Sequence, residues 1–167
     1  MNLEKSKSAL SKTEAREDLV EFEEIVKGVD GAFIGDNHIC PLKHDFSDDM
    51  YVREIFIPKG TVVIGKIHKH KHPNFLMKGT VKVVTEKGTE TLEAPLSMIS
   101  DAGTKRALHA VTDLVWVTVH SNPTNTRDMV KLEEEIIAPN YREYEKFISQ
   151  GETLKKRIKK YIIKKLL

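Results

Sequence analysis

Between Tyr51 and His120 the chain is cut into short β-prone runs by turn chemistry, and this restricts it to a few folds. The runs are YVREIFI, TVVIGKIH, NFLM, TVKVVTE, TETLEA, SMIS, KRALHAV and DLVWVTVH. Pro58-Lys59-Gly60, Lys78-Gly79, Glu86-Lys87-Gly88, Ala94-Pro95, Asp101-Ala102-Gly103 and Thr112-Asp113 separate them. Strands this short, with Gly, Pro and Asp at the joints, build a sandwich or a barrel. No helical period interrupts them, which argues against a parallel α/β sheet.

The flanks read differently. Residues 1–10 are polar and expected to be disordered. Ser11-Lys12-Thr13-Glu14 has the form of a capping box, in which each partner satisfies the other's free backbone N–H. Ala15, Leu19, Phe22, Ile25 and Val26 follow at helical spacing, and Lys27-Gly28 forms a basic last turn with a C′ glycine. After Asn122-Pro123 the helical period returns in Val130, Leu132, Ile136 and Ile137. It continues in Tyr141, Tyr144, Phe147 and Ile148, is broken at Gly151, and resumes in Leu154, Ile158, Tyr161 and Ile162. The predicted organisation is a tail and amphipathic helix over 1–30, a β-barrel over 31–122, and a helical segment with a basic tail over 123–167.

A chain of 167 residues is long enough for a hydrophobic core without staples. One cysteine, Cys40, excludes an intrachain disulfide framework. No apolar run approaches the ~20 residues of a membrane span, and the N-terminus lacks an apolar signal region, so the expected location is cytoplasmic. The net charge of +2 hides an asymmetry: residues 151–167 carry net +6 and the remainder net −4. Such a tail suits a solvated helix face, and it also suits nucleic acid or a membrane surface met through residues 154–167. Flanking amphipathic helices and β edges point to a homodimer.

Chemistry concentrates in Ile57–Gly79, where His68, His70 and His72 occupy alternate positions. Alternation puts side chains on one side of a strand, and gathered imidazoles are the raw material of a metal site. A second grouping, His38, Cys40 and His44, has an H-x-C-x3-H spacing. It lacks the four paired ligands of a structural zinc site, so a buried Cys and two loop histidines are the expected reading.

In the register G-x5-H-x-H-x3-4-E-x6-G, Gly60 and Gly79 form the ends, Lys66 takes the first His slot, His68 the second and His72 the Glu slot. In this the chain resembles the cupin superfamily. A second cupin motif overlies Asp101, Gly103, Arg106 and Ala110 with only the glycine in agreement. The strings CPLKH, YVRE and GTKRA are also similar to those of uncharacterised phage-type cupin-like proteins; a phage-encoded protein would work in the host cytoplasm. The resemblance implies a mainly-β fold, a double-stranded β-helix (jelly-roll) barrel with flanking N- and C-terminal helices. It also implies that His68 ends one strand, Lys69–Lys71 turn, and His72-Pro73 open the next.

On that reading the metal ligands are His68, His72 and His120, with His70 a further candidate at the turn tip. The ion is Zn, Fe, Ni or Mn. Arg53, Lys66, Arg106 and Trp116 are the candidate ligand-binding residues. His109 alternates against Arg106 and is read as surface or packing. Two functions follow. One is a metal-dependent site taking a small anionic molecule, with no activity assigned. The other is a metal-free cupin, ligand-binding or structural, whose cationic pocket holds an anion directly and whose tail contacts nucleic acid or a partner.

Overall fold

The computed structural model describes residues 11–35 and 38–166, with side chains through Lys159 except Arg157. Helix α1 (Lys12–Lys27) leads into β1 (Leu42–Ser47), β2 (Met50–Ile57), β3 (Val62–Ile64), β4 (Ile67–His68), β5 (His72–Lys78), β6 (Thr80–Thr85), β7 (Gly88–Glu93), β8 (Leu96–Ser100), β9 (Ala107–Ala110) and β10 (Leu114–Ser121). Helix α2 (Met129–Ile136), β11 (Ile137–Ala138) and α3 (Tyr141–Leu166) complete the chain. One sheet has the order β1-β2-β10-β5-β8 and a second β3-β9-β6-β7, while β11 pairs with β4. Every one of these strand pairs is antiparallel.

The inside of the barrel changes character along its axis, and the middle strand shows how. In β10, Leu114, Trp116, Thr118 and His120 are buried, alternating with the more exposed Val115, Val117, Val119 and Ser121. Leu114 and Trp116 lie opposite Ile57 and Ile55 on β2, and Trp116 opposite Leu76 on β5. Val81, Val83 and Ala110 from the other sheet join this apolar cluster, with Cys40. Two rungs further, Thr118 lies opposite Arg53 and Asn74, and His120 opposite Tyr51. The inward face of β5 continues as Asn74 and His72, the latter opposite Ser100. One end is therefore a hydrocarbon core and the other a layer of imidazole, guanidinium, amide and hydroxyl groups.

The C-terminal segment covers the polar end. Leu132 and Ile136 of α2 are buried against Tyr51. The β11–β4 ribbon sets Ile137 beside His68, and Tyr144 of α3 packs with Ile67 and Ala138. Helix α1 is held by charge as well as by buried Leu19. Arg16 bonds Glu86 at 2.6 Å and lies 4.4 Å over the Tyr141 ring. Buried Lys105 reaches Glu23 at 2.9 Å and the Gly65 carbonyl at 3.1 Å. A buried cation is tolerated when it is paired and hydrogen-bonded in this way.

The capping box at Ser11 and Glu14 forms as expected. Three local expectations are corrected. Gly28 caps α1 in a right-handed conformation (φ −83°), and the left-handed glycine is Gly31. Gly151 does not break the last helix, which runs from Tyr141 to Leu166; its Cα faces open space, so it costs only the ~1 kcal/mol of a glycine in a helix. Ile137 leaves the α2 stripe for β11, because its backbone pairs with His68. The expected disorder of residues 1–10 lies outside the described residues. No helix among the described residues is long and apolar enough to cross a membrane.

Gly79, which closes the first motif, has a local physical reason. It has φ +91°, and a Cβ there would sit 2.1 Å from the Asp113 carbonyl oxygen. Gly60 has φ +83° with open space around it. Gly79→Ala is predicted to cost upwards of about 2 kcal/mol, from backbone strain plus a clash. Gly60→Ala should cost about 1 kcal/mol, from strain alone. Urea denaturation of both variants checks the difference; equal costs would contradict it.

Candidate metal centre

The site is built by a turn and a strand end. β4 stops at His68, residues 69–71 turn, and β5 starts at His72. The Gly103 N–H holds the turn by donating to the His68 carbonyl at 2.8 Å, and the Lys69 N–H by donating to the Ile136 carbonyl at 2.7 Å. His120 reaches the same place from the far end of β10. His72 and His120 are buried and His68 is half-buried. One ring nitrogen from each of the three lies within 4.8 Å of the others. His68 Nδ1 is 2.8 Å from His72 Nε2, a separation compatible with two ligands of one ion at about 2.0–2.1 Å each.

Protonation favours the same use. Burial lowers the pKa of all three imidazoles. For His68 burial comes first, then the neighbouring His72, His120, Arg106 and Arg53, and the value falls to about 2. His120 falls to about 3, through burial, then His72 and Arg53. Neutral imidazoles offer the lone pairs a metal needs. His72 Nδ1 donates to the His70 carbonyl at 3.1 Å, which leaves Nε2 facing His68. A backbone carbonyl on the outer nitrogen is a common way to orient a ligating histidine. The donor set fits a divalent metal.

Beneath and beside the imidazoles is a polar floor. Trp116 Nε1 donates to Asn74 Oδ1 at 3.0 Å. The Asn74 amide donates to the His72 carbonyl at 3.1 Å and to Ser100 Oγ. Ser100 also accepts from Arg106. Trp116 thus belongs to the apolar core and touches the site through its ring nitrogen. Arg106 and Arg53 both act electrostatically on the histidines, and neither forms an ion pair among the described residues. Burial lowers the Arg106 pKa, with Glu90 and Asp101 opposing. On the far side, the Tyr51 ring stacks on His120 at 6.0 Å, and its hydroxyl is 2.7 Å from His44 Nδ1.

Lys66 is not part of this layer, which corrects the expected cationic lining. Its ammonium is exposed and pairs with Glu133 of α2 at 2.5 Å, beside a cavity of ≈ 540 Å³ that also touches Lys105 and Glu23. The reason is the break between β3 and β4: Gly65 and Lys66 belong to neither strand, so alternation from His68 does not carry back to Lys66. His70 is exposed at the turn tip, its ring edge-on to Phe147 at 5.3 Å. His109 is exposed. His38, Cys40 and His44 separate: Cys40 enters the apolar core, burial raising its pKa, His38 meets Phe33, and His44 turns to Tyr51. Asn74, Ser100 and Tyr51 were missed by the sequence reading. The available signal was the two-residue period: Asn74 follows His72 on one strand face, and Ser100 ends a neighbouring strand.

Acid should expose the imidazole burial. Each depressed pKa lies below the ordinary value of about 6.5, so the unfolded chain takes up protons first as pH falls. The stability of metal-free protein is therefore complete above about pH 6.5 and is lost progressively towards pH 3 and 2. Between pH 6.5 and 5 carboxylates contribute little, so the slope there belongs to histidine. Denaturant titrations across that window should show falling stability, with a smaller slope in His68→Gln. A flat profile would contradict the burial.

No family model and no curated protein matches the chain. Solved structures do. KdgF from Halomonas sp. is 15% identical with a TM-score of 0.47, over 58% of this chain and 90% of that one. An RmlC-like cupin from Shewanella frigidimarina is 14% identical with a TM-score of 0.46, over 56% and 83%. An RmlC-like cupin family protein with a double-stranded β-helix fold, from Methanocaldococcus jannaschii, is 13% identical with a TM-score of 0.44, over 55% and 89%. With two antiparallel sheets that contribute to one apolar cluster and helices at both ends, the chain has the mainly-β architecture with flanking helices expected from its sequence.

Proposed function

We propose that the protein holds one divalent transition metal on His68, His72 and His120 and receives a small anionic molecule beside it. The observation that carries this is the convergence of three neutral imidazoles on a spot where the inward-facing positions of β2, β5 and β10 bring Arg53 and no carboxylate. Three nitrogen ligands suit Zn, Fe, Ni or Mn, and none of them offsets the ion's charge. When bound, such an ion supplies Lewis acidity and open coordination positions.

The chain's own residues do the rest. Arg53 and Arg106 supply positive charge without an acid partner, so an anion meets guanidinium groups at low cost in broken ion pairs. Ser100 and Asn74 fix Arg106 and the His72 backbone. Trp116 and the apolar cluster close the floor against water. Residues 129–148 cover the rim. General acid or base work would fall to an imidazole, because none of the inward-facing positions of β2, β5 and β10 is a carboxylate. The site therefore supports binding and metal-assisted chemistry more directly than carboxylate-based proton transfer.

Protein purified without an affinity tag is expected to carry about one divalent metal per chain by elemental analysis. In His68→Ala/His72→Ala the content should drop to background while the circular dichroism spectrum persists. Inorganic phosphate and oxalate serve as probe anions by calorimetry, and Arg106→Ala is expected to weaken binding by about tenfold. Metal-free native protein that remains metal-free on incubation with Zn, Fe, Ni or Mn would overturn the metal assignment. Anion binding by that metal-free protein would favour the purely cationic pocket.

A further inference from the structure

The cavity beside Lys66 has a volume of ≈ 540 Å³, within the roughly 300–1,000 Å³ of small-molecule sites. Neighbouring residues of a strand face opposite ways, so Ile67 of β4 lines this cavity while His68 turns to the other imidazoles. The break between β3 and β4 opens it, and α1, α2 and β11 supply the sides. Ile67, Val130, Ile137 and Pro139 make apolar walls. Two lysines, Lys66 and Lys105, and three glutamates, Glu23, Glu133 and Glu134, stand among them, a formal balance of −1.

The lysines are already taken. Lys105, its side chain only 5% exposed, is held by Glu23 at 2.9 Å and by the Gly65 carbonyl at 3.1 Å. Lys66 pairs with Glu133 at 2.5 Å on the exposed rim. Glu134 gives its backbone carbonyl to Lys69, and its carboxylate forms no ion pair among the described residues. We propose that this cavity binds a small organic amine, with the ammonium on Glu134 and an apolar body along Ile67, Val130, Ile137 and Pro139. An anion would have to take Lys105 from Glu23, and parting a buried pair leaves a charge stranded at high cost. An ammonium breaks no existing pair and adds a charge-assisted contact. Glu134 is exposed, so that contact is modest and the apolar body supplies most of the affinity. No metal ion enters this recognition, so it stands independently of the histidine centre.

Three probes share one aromatic body and differ in the charge of the head: 2-phenylethylamine, 2-phenylethanol and 3-phenylpropionate. Each is titrated into the full ¹⁵N-labelled chain and followed by backbone amide resonances. The amine is expected to bind with a dissociation constant of about 1 mM or below, shifting resonances within 65–69 and 130–138. The alcohol and the carboxylate should bind about fivefold more weakly or worse. Glu134→Gln should weaken the amine about fivefold. Val130→Trp, at a position 69% exposed, fills the space and should abolish binding. Glu21→Gln, exposed on α1 and outside the lining, should change nothing. Circular dichroism checks that each variant is folded, and the comparison of the three probes on wild type needs no variant. The proposal is overturned by an amine that shifts nothing up to about 10 mM, ten times the expected constant. It is equally overturned by equal affinity for the three probes, by preference for the carboxylate, by shifts confined to the histidine centre, or by amine binding that survives Val130→Trp.

Discussion

Three imidazoles are kept neutral inside one end of the barrel, and the placing of the other elements follows from keeping them there. Water is excluded from His72 and His120 by the barrel walls and by the segment folded over the rim. Burial is the first cause of each depressed pKa, and Arg53 and Arg106 reinforce it. An uncompensated group of polar side chains at this depth would be costly. Here the cost is limited by a continuous set of hydrogen bonds from Trp116 through Asn74 to Ser100 and Arg106. The site and the core are thus one structure read at two heights along the same strands.

Much of this was visible in the residues. The strand-and-turn texture of 51–120 was enough for a mainly-β fold, and the Gly60–Gly79 register sets His68 and His72 on either side of a turn with His70 at its exposed tip. His120 was recognisable as the end of the last long β run. What was not visible depended on contacts distant in sequence. Lys66 shares the parity of His68, yet the strand break at Gly65–Lys66 cancels parity and Glu133, 67 residues on, takes the ammonium. Ile137 fits the helical stripe of α2, but a backbone partner in β4 draws it into a strand. Gly151 looks like a helix breaker, and the long α3 absorbs it.

The C-terminal segment gives the polar end its shape. It pairs a strand with the one that ends in His68, fastens the 69–71 turn to the Ile136 carbonyl, and sets Phe147 against His70. A histidine cluster drawn from β4, β5 and β10 is thereby tied to elements outside the barrel.

The proposed centre requires three imidazoles to share one ion. The most direct measurement is X-ray absorption at the metal edge of the loaded protein, which counts ligands and identifies imidazole by its outer-shell scattering. Three nitrogen donors at about 2.0–2.2 Å, all with imidazole signatures, are predicted. One imidazole or none, with the remaining shell made of oxygen alone, would contradict it.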